Sequence, residues 1–176
     1  MRKIVLSYLL VLCNLVAVAQ TPVRVACIGN SITYGAGIEN RERDAYPVQL
    51  QRMLGEGYVV GNFGKSGATL LNKGHRPYIE QKEFQRALTF AGDVVVIHLG
   101  INDTDPRDWP NYRDYFVRDY LALIDSFRVA NPKVRILVAR MTPITNRHSR
   151  FESARVTGTN RYNMPLKGWP SLPGHN

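Results

Sequence analysis

The stretch Val23 to Gly35, VRVACIGNSITYG, decides the fold. Its first half is a short, continuous, valine-rich apolar run, the pattern of a strand in a parallel sheet covered on both faces. Its second half, Gly29-Asn30-Ser31-Ile32-Thr33-Tyr34-Gly35, is a turn at the carboxyl end of that strand. Three further runs repeat the pattern: Tyr58 to Phe63, Asp93 to Leu99 and Val134 to Ala139. Helix-like segments fill the intervals, roughly Tyr46 to Leu54, Ile79 to Phe90 and Tyr112 to Ala130. The last places Tyr120, Leu121, Ile124 and Phe127 at helical spacing and is closed by Asn131-Pro132. Strands alternating with helices predict an α/β fold, a three-layer α/β/α sandwich around a central parallel sheet. No internal repeat and no linker interrupts it.

In such sheets ligands bind where loops leave the carboxyl ends of the strands. After the second strand comes Asn62 to Thr69, NFGKSGAT, and after the third Gly100-Ile101-Asn102-Asp103. Each loop offers something that acyl transfer from an ester requires. A serine at a strand tip presents a hydroxyl to a carbonyl, and its own N–H can help hold the oxyanion. A glycine on the next loop lets a second backbone N–H come close. An asparagine amide supplies a third donor. Taken singly, Gly29-Asn30-Ser31 and Ser66-Gly67 are also ordinary turns, and Asn102-Asp103 is also a helix cap. Their recurrence at consecutive strand ends is what points to a site.

In these three blocks, by order and spacing over roughly Val23 to Pro143, the chain resembles the SGNH hydrolase superfamily, also called the GDSL esterases and lipases, with Asn30 where the family name has aspartate. The resemblance implies a flavodoxin-like arrangement and ester hydrolysis with no cofactor and no metal. It implies Ser31 as nucleophile and oxyanion donor, with Gly67 and Asn102 completing the oxyanion hole. Within the superfamily the blocks look most similar to secreted bacterial carbohydrate esterases that remove O-acetyl groups, which implies a small-molecule or glycan ester substrate of the sialate or xylan type.

One block has no counterpart. The family's catalytic histidine sits in an Asp-x-x-His sequence after a fifth strand, and no Asp-x-x-His occurs anywhere in this chain. The expected sandwich therefore lacks its last strand and helix. Serine is a poor nucleophile until a base takes its proton, so the four histidines matter individually. His98, inside the third strand, reads as a packed or supporting residue, and His75 as a surface or substrate-contacting one. His148 falls where the fourth strand's loop gives way to the tail. His175 has no aspartate three residues before it. None is assigned as base. Arg41, Arg43, Asp44, Asp105, Arg107 and Trp109 lie near the first and third loops and could read a sugar, although surface ion pairs and loop polarity explain them as well. Trp109 is the strongest of these, because an exposed indole stacks on a sugar face.

The ends of the chain set its context. Arg2 and Lys3 precede an apolar run from Ile4 to Val18 closed by Ala17-Val18-Ala19, which reads as a secretory signal peptide cleaved after Ala19. A membrane span needs about 20 apolar residues, and this run is shorter. Lipidation at Cys13 is the alternative, disfavoured by Leu12 before it. The expected division is residues 1–19 as signal, 20–146 as hydrolase domain and 147–176 as an atypical tail. The mature protein is then secreted or periplasmic and free of the membrane. Cys27 remains as its single cysteine, so no internal disulfide forms and the core must supply the stability.

The length suits one domain with a continuous core. The net charge of +9 suggests nucleic acid until it is divided: Arg2 and Lys3 leave with the signal, and residues 147–176 hold five basic residues against one acidic, leaving about +3 on the body. With secretion, that argues against a nucleic-acid partner. The tail, punctuated by Pro165, Pro170 and Pro173, reads either as a poorly ordered terminus or as the product of a frameshift or truncation. A crippled glycan-binding domain of the same fold is the rival reading, favoured by the missing histidine block. A phospholipase lacks a visible apolar lid, and a nucleotide-binding protein lacks both Gly-x-Gly-x-x-Gly and a Walker lysine. Oligomeric state is not legible in the sequence.

Overall fold

The four apolar runs all become strands: β1 (Val23–Gly29), β2 (Tyr58–Gly64), β3 (Val94–His98) and β4 (Arg135–Val138). They are described in a computed structural model covering residues 21–141. The expected signal peptide, the tail from Arg147, His148 and His175 lie outside the described residues. All neighbouring strands are parallel, in the order β2-β1-β3-β4. The chain steps outward from β1 to β2 and then returns across β1 to lay down β3. That reversal makes the carboxyl edge between β1 and β3 the switch point at which such sheets open a crevice.

Six helices accompany the described strands: α1 (Ser31–Tyr34), α2 (Arg41–Asp44), α3 (Tyr46–Leu54), α4 (Lys82–Phe90), α5 (Trp109–Tyr112) and α6 (Phe116–Ala130). Two expected helices begin later than their patterns suggested. Gln81 is extended (φ −87°, ψ 147°) and separates a 3-10 turn at Tyr78–Glu80 from α4. The segment from Tyr112 passes through a further 3-10 turn, Arg113–Tyr115, before α6 starts. α1 and α2 span four residues each, too few for a period to show.

Strand alternation sorts the side chains. Ala26, Ile28, Phe63, Val95 and Ile97 share one face, and register sets Ile28 between Phe63 and Ile97. Against them pack Phe84 and Ala87 of α4 and Phe116, Tyr120, Leu123, Ile124 and Phe127 of α6, forming the main core. Each large apolar side chain removed from water there contributes about 1.5–3 kcal/mol. The opposite face carries α1 and α3 over β1 and β2. There Cys27 is fully buried, and burial pushes its thiol up to about 11, so it is a core residue rather than a reactive one. Among the described residues the same face is open over β4, where Leu137 is 49% exposed. Among the described residues, coverage on both faces, expected for every strand, therefore holds for β1 but not for β4.

Candidate active site

Ser31 is placed by a tight strand-to-helix turn. β1 ends at Gly29, and α1 begins two residues later. Between them Asn30 accepts the Ile32 N–H on Oδ1 at 3.0 Å, capping a first-turn donor that would otherwise lack a partner. Gly35, at φ +87°, closes α1 by donating to the carbonyls of Ser31 and Ile32. Strand runs almost directly into helix and leaves Ser31 half-buried at the carboxyl edge.

So close an approach requires glycine beneath the helix. A Cβ on Gly64 would collide with the backbone of Thr33 and Tyr34, and one on Gly29 would meet the Thr33 side chain and the His98 carbonyl. Gly64→Ala is therefore expected to push α1 off the sheet and cost at least about 1–3 kcal/mol, the usual range for overpacking. Thermal unfolding checks this against Gly57→Ala, whose added methyl meets nothing within 4 Å. Equal midpoints for the two variants would refute it.

The other two loops lock onto this turn. Lys65 N–H donates to the Gly29 carbonyl at 2.9 Å, joining the β2 loop to the end of β1. Asn102 Nδ2 donates to the Ala68 carbonyl at 2.9 Å, joining the β3 loop to the β2 loop. The pairing of Gly29 with His98 holds the roots of the first and third loops side by side. Ser31, Gly67 and Asn102 thus sit on three mutually bonded loops at one sheet edge. Gly67 adopts φ +78°, a region that favours glycine, and among the described residues its N–H joins no backbone hydrogen bond. Asn102 is 6% exposed and spends one amide proton on Ala68, keeping the other.

Three aspartates hold the second loop from behind. Asp103 accepts the N–H groups of Leu70 (2.9 Å) and Leu71 (2.7 Å), Asp119 of α6 accepts that of Asn72 (2.9 Å), and Asp108 accepts that of His75 (2.9 Å). All three carboxyl residues are buried, and together they satisfy backbone donors that would otherwise be buried unpaired. Burial raises the Asp103 carboxyl to about 6, although the N–H groups of Leu71 and Leu70 pull the other way. Sequence reasoning singled out neither Asp108 nor Asp119. A run rich in aspartate after the third block was the one visible signal.

Asp108 also meets the ring of His75, with Nδ1 to Oδ2 at 2.6 Å. The His75 side chain is 23% exposed and its partner 2%. A buried carboxylate on Nδ1 fixes the ring and leaves Nε2 as its other polar atom. His98 is half-buried, and burial lowers its pKa below the ordinary histidine value. Trp109 is half-buried against the core, its ring edge-on to Phe116 at 5.5 Å, so packing accounts for much of what suggested a sugar platform. The charged candidates pair locally: Arg41 with Glu42 (2.8 Å), Arg43 with Asp44 (2.8 Å) and Arg107 with Asp105 (2.9 Å). Arg107 holds the Asp105 carboxyl down to about 2. Among the described residues no group of three or more His, Cys, Asp or Glu side chains is placed to hold a metal ion.

Known proteins resemble this arrangement. The model of the GDSL-like Lipase/Acylhydrolase family matches residues 27–170. An acetylxylan esterase of Xylanibacter ruminicola is 50% identical over 109 residues, which are 62% of this chain and 22% of that protein. The chain thus spans about a fifth of that relative's length. Among solved structures, a family two carbohydrate esterase from Clostridium thermocellum in complex with cellohexaose aligns with TM-score 0.54 at 23% identity, covering 79% of this chain and 49% of that one. AlinE4, an SGNH-hydrolase family esterase, aligns with TM-score 0.50 at 16% identity, covering 89% and 87%. At these identities the two structures show a shared fold.

Proposed function

Because the chain belongs to the GDSL-like lipase/acylhydrolase family, we propose that it is an ester hydrolase that uses Ser31 to remove acetyl groups from O-acetylated carbohydrate, xylan-type esters first and sialate-type esters second. The observation that carries this reading is the interlock of the Ser31, Gly67 and Asn102 loops at the switch point of the sheet. Ser31 Oγ attacks the acyl carbon while its proton passes to a base. The resulting oxyanion lies among the N–H groups of Ser31 and Gly67 and the free proton of Asn102 Nδ2. Collapse of the adduct returns a proton to the sugar oxygen and releases the alcohol. Water then attacks the acyl-serine and acetate leaves. Each oxyanion donor of this kind is worth roughly 10²- to 10³-fold in rate.

The acyl and sugar preference is supported by the acetylxylan esterase relative. The amino-terminal reading places the mature enzyme outside the cytoplasm, where O-acetylated polysaccharide lies. The second reading, a glycan-binding domain with the cleft but no working base, is favoured by the lack of Asp-x-x-His in the sequence. Substrate preference tests the first: acetyl esters, including acetylated xylo-oligosaccharides, are expected to turn over faster than long-chain esters of the same alcohol. Equal or faster cleavage of the long chains would replace the carbohydrate esterase with a lipase.

A further inference from the structure

Arg76 borders the glycine assigned to the oxyanion. Its Nη1 donates to the Ser66 carbonyl at 3.0 Å and lies 3.2 Å from where a Cβ on Gly67 would stand. The residue is exposed, and among the described residues no carboxylate lies within ion-pair distance of it. Arg41, Arg43, Arg107 and Arg118 differ, each holding an acidic neighbour. Its stem is fixed on both sides. The Arg76 carbonyl accepts the Thr69 N–H at 2.9 Å, Pro77 bridges to Thr69, and His75 before it is tied to Asp108. A guanidinium has five N–H donors in a fork that matches a carboxylate, and one bond to Ser66 leaves most of them free. The fold therefore presents, on the loop beside Gly67, a cation with no ion-pair partner among the described residues.

We propose that Arg76 determines specificity by binding a carboxylate carried on the sugar next to the acetylated one, or on the acetylated sugar itself, so that the preferred substrate is an acidic glycan ester. This rests on the reading of Gly67 as an oxyanion donor. The carboxylate has two chemical sources, a hexuronic acid or a sialic acid. A neutral glycan would reach the same serine without the added contact.

The test measures binding, so it needs no turnover. Wild type and Arg76→Gln, checked for equal unfolding midpoints, are titrated with a neutral xylo-oligosaccharide, with the same oligosaccharide carrying a glucuronic acid branch, and with a sialylated trisaccharide beside its unsialylated core. Wild type is expected to bind one acidic member about 10-fold more tightly than its neutral counterpart, the scale of a charge-assisted hydrogen-bonded contact. The margin should narrow as salt is raised. Arg76→Gln is expected to lose that margin while its affinity for the neutral sugars stays within about twofold, and Arg76→Lys to keep part of it. The arm that shows the margin identifies the acid. Absence of a margin in wild type, its survival in Arg76→Gln, or no binding of either acidic sugar would overturn the proposal. A margin that persists while a chain extended by an Asp-x-x-His block cleaves esters equally well with and without Ser31→Ala would instead remove the esterase reading and keep Arg76.

Discussion

Residues 20–176 expressed alone are expected to release acetate slowly from an activated acetyl ester, and Ser31→Ala is expected to change that rate little. Donors around an oxyanion, together with bound substrate, still accelerate acyl transfer by about 10³- to 10⁴-fold over water when the nucleophile is not activated. The proposed donors, on Ser31, Gly67 and Asn102, all lie among the described residues, which assign no base to Ser31. Extending the chain by a strand and an Asp-x-x-His block is expected to raise the rate by about 10²-fold or more, the scale of general-base catalysis. That gain should vanish on Ser31→Ala. Acetate release by the four proteins, short and extended with and without the substitution, measures it. Rapid turnover by the short chain, lost on Ser31→Ala, would mean that a histidine already present serves the serine. His148 and His175 would then be candidates beside His75, which alone among the described histidines is paired with a carboxylate.

The second large effect is expected at Asp103. Its carboxylate oxygens take one N–H each, from Leu70 and Leu71. Asp103→Asn turns one of those acceptors into a donor facing a donor and is expected to cost about 1–3 kcal/mol at neutral pH, the penalty of a buried unpaired group. The pH dependence gives a sharper signature. Burial raises the native carboxyl to about 6, whereas an unfolded aspartate titrates at about 3.9. Between those values the native state binds more protons than the unfolded one, so the contribution of Asp103 to stability grows as pH falls from about 7 towards 4 and is lost as pH rises through 6. Asparagine does not titrate. The gap in unfolding free energy between wild type and Asp103→Asn should therefore widen on acidification, other titrating groups cancelling in the difference. A gap that narrows or stays constant in denaturant titrations at pH 7 and pH 5 would contradict this account.

The strands were legible because each is a compact valine-rich run, and the three loops followed because each starts where a run stops. Ser31, Gly67 and Asn102 could thus be placed at one edge from spacing alone, and the structure brings their loops together there. The aspartate grip could not be read in the same way. Asp119 and Asn72 are 47 positions apart and Asp108 and His75 are 33 apart, so no local period or motif connects them. Trp109 shows the converse difficulty: the sequence offers its indole for a sugar face, and the fold leaves it half-buried with its ring edge-on to Phe116. Arg76 stands in plain view between His75 and Pro77, but a charge in a sequence does not reveal whether it has a partner. That depends on which carboxylates the fold brings within reach.

The aspartates behind the second loop hold it chiefly by its main chain. A loop whose course is set by acceptors on other elements can exchange outward side chains and keep its course. Lys73 and Arg76, neither of which supplies an N–H to those carboxylates, are therefore good positions for saturation mutagenesis. A library randomised at these two sites should yield a high proportion of folded members with altered sugar preference. One randomised at Asp103, Asp108 and Asp119 should yield mostly misfolded chains. By separating what shapes the loop from what the loop displays, the fold leaves the loop's outward face open to evolutionary change.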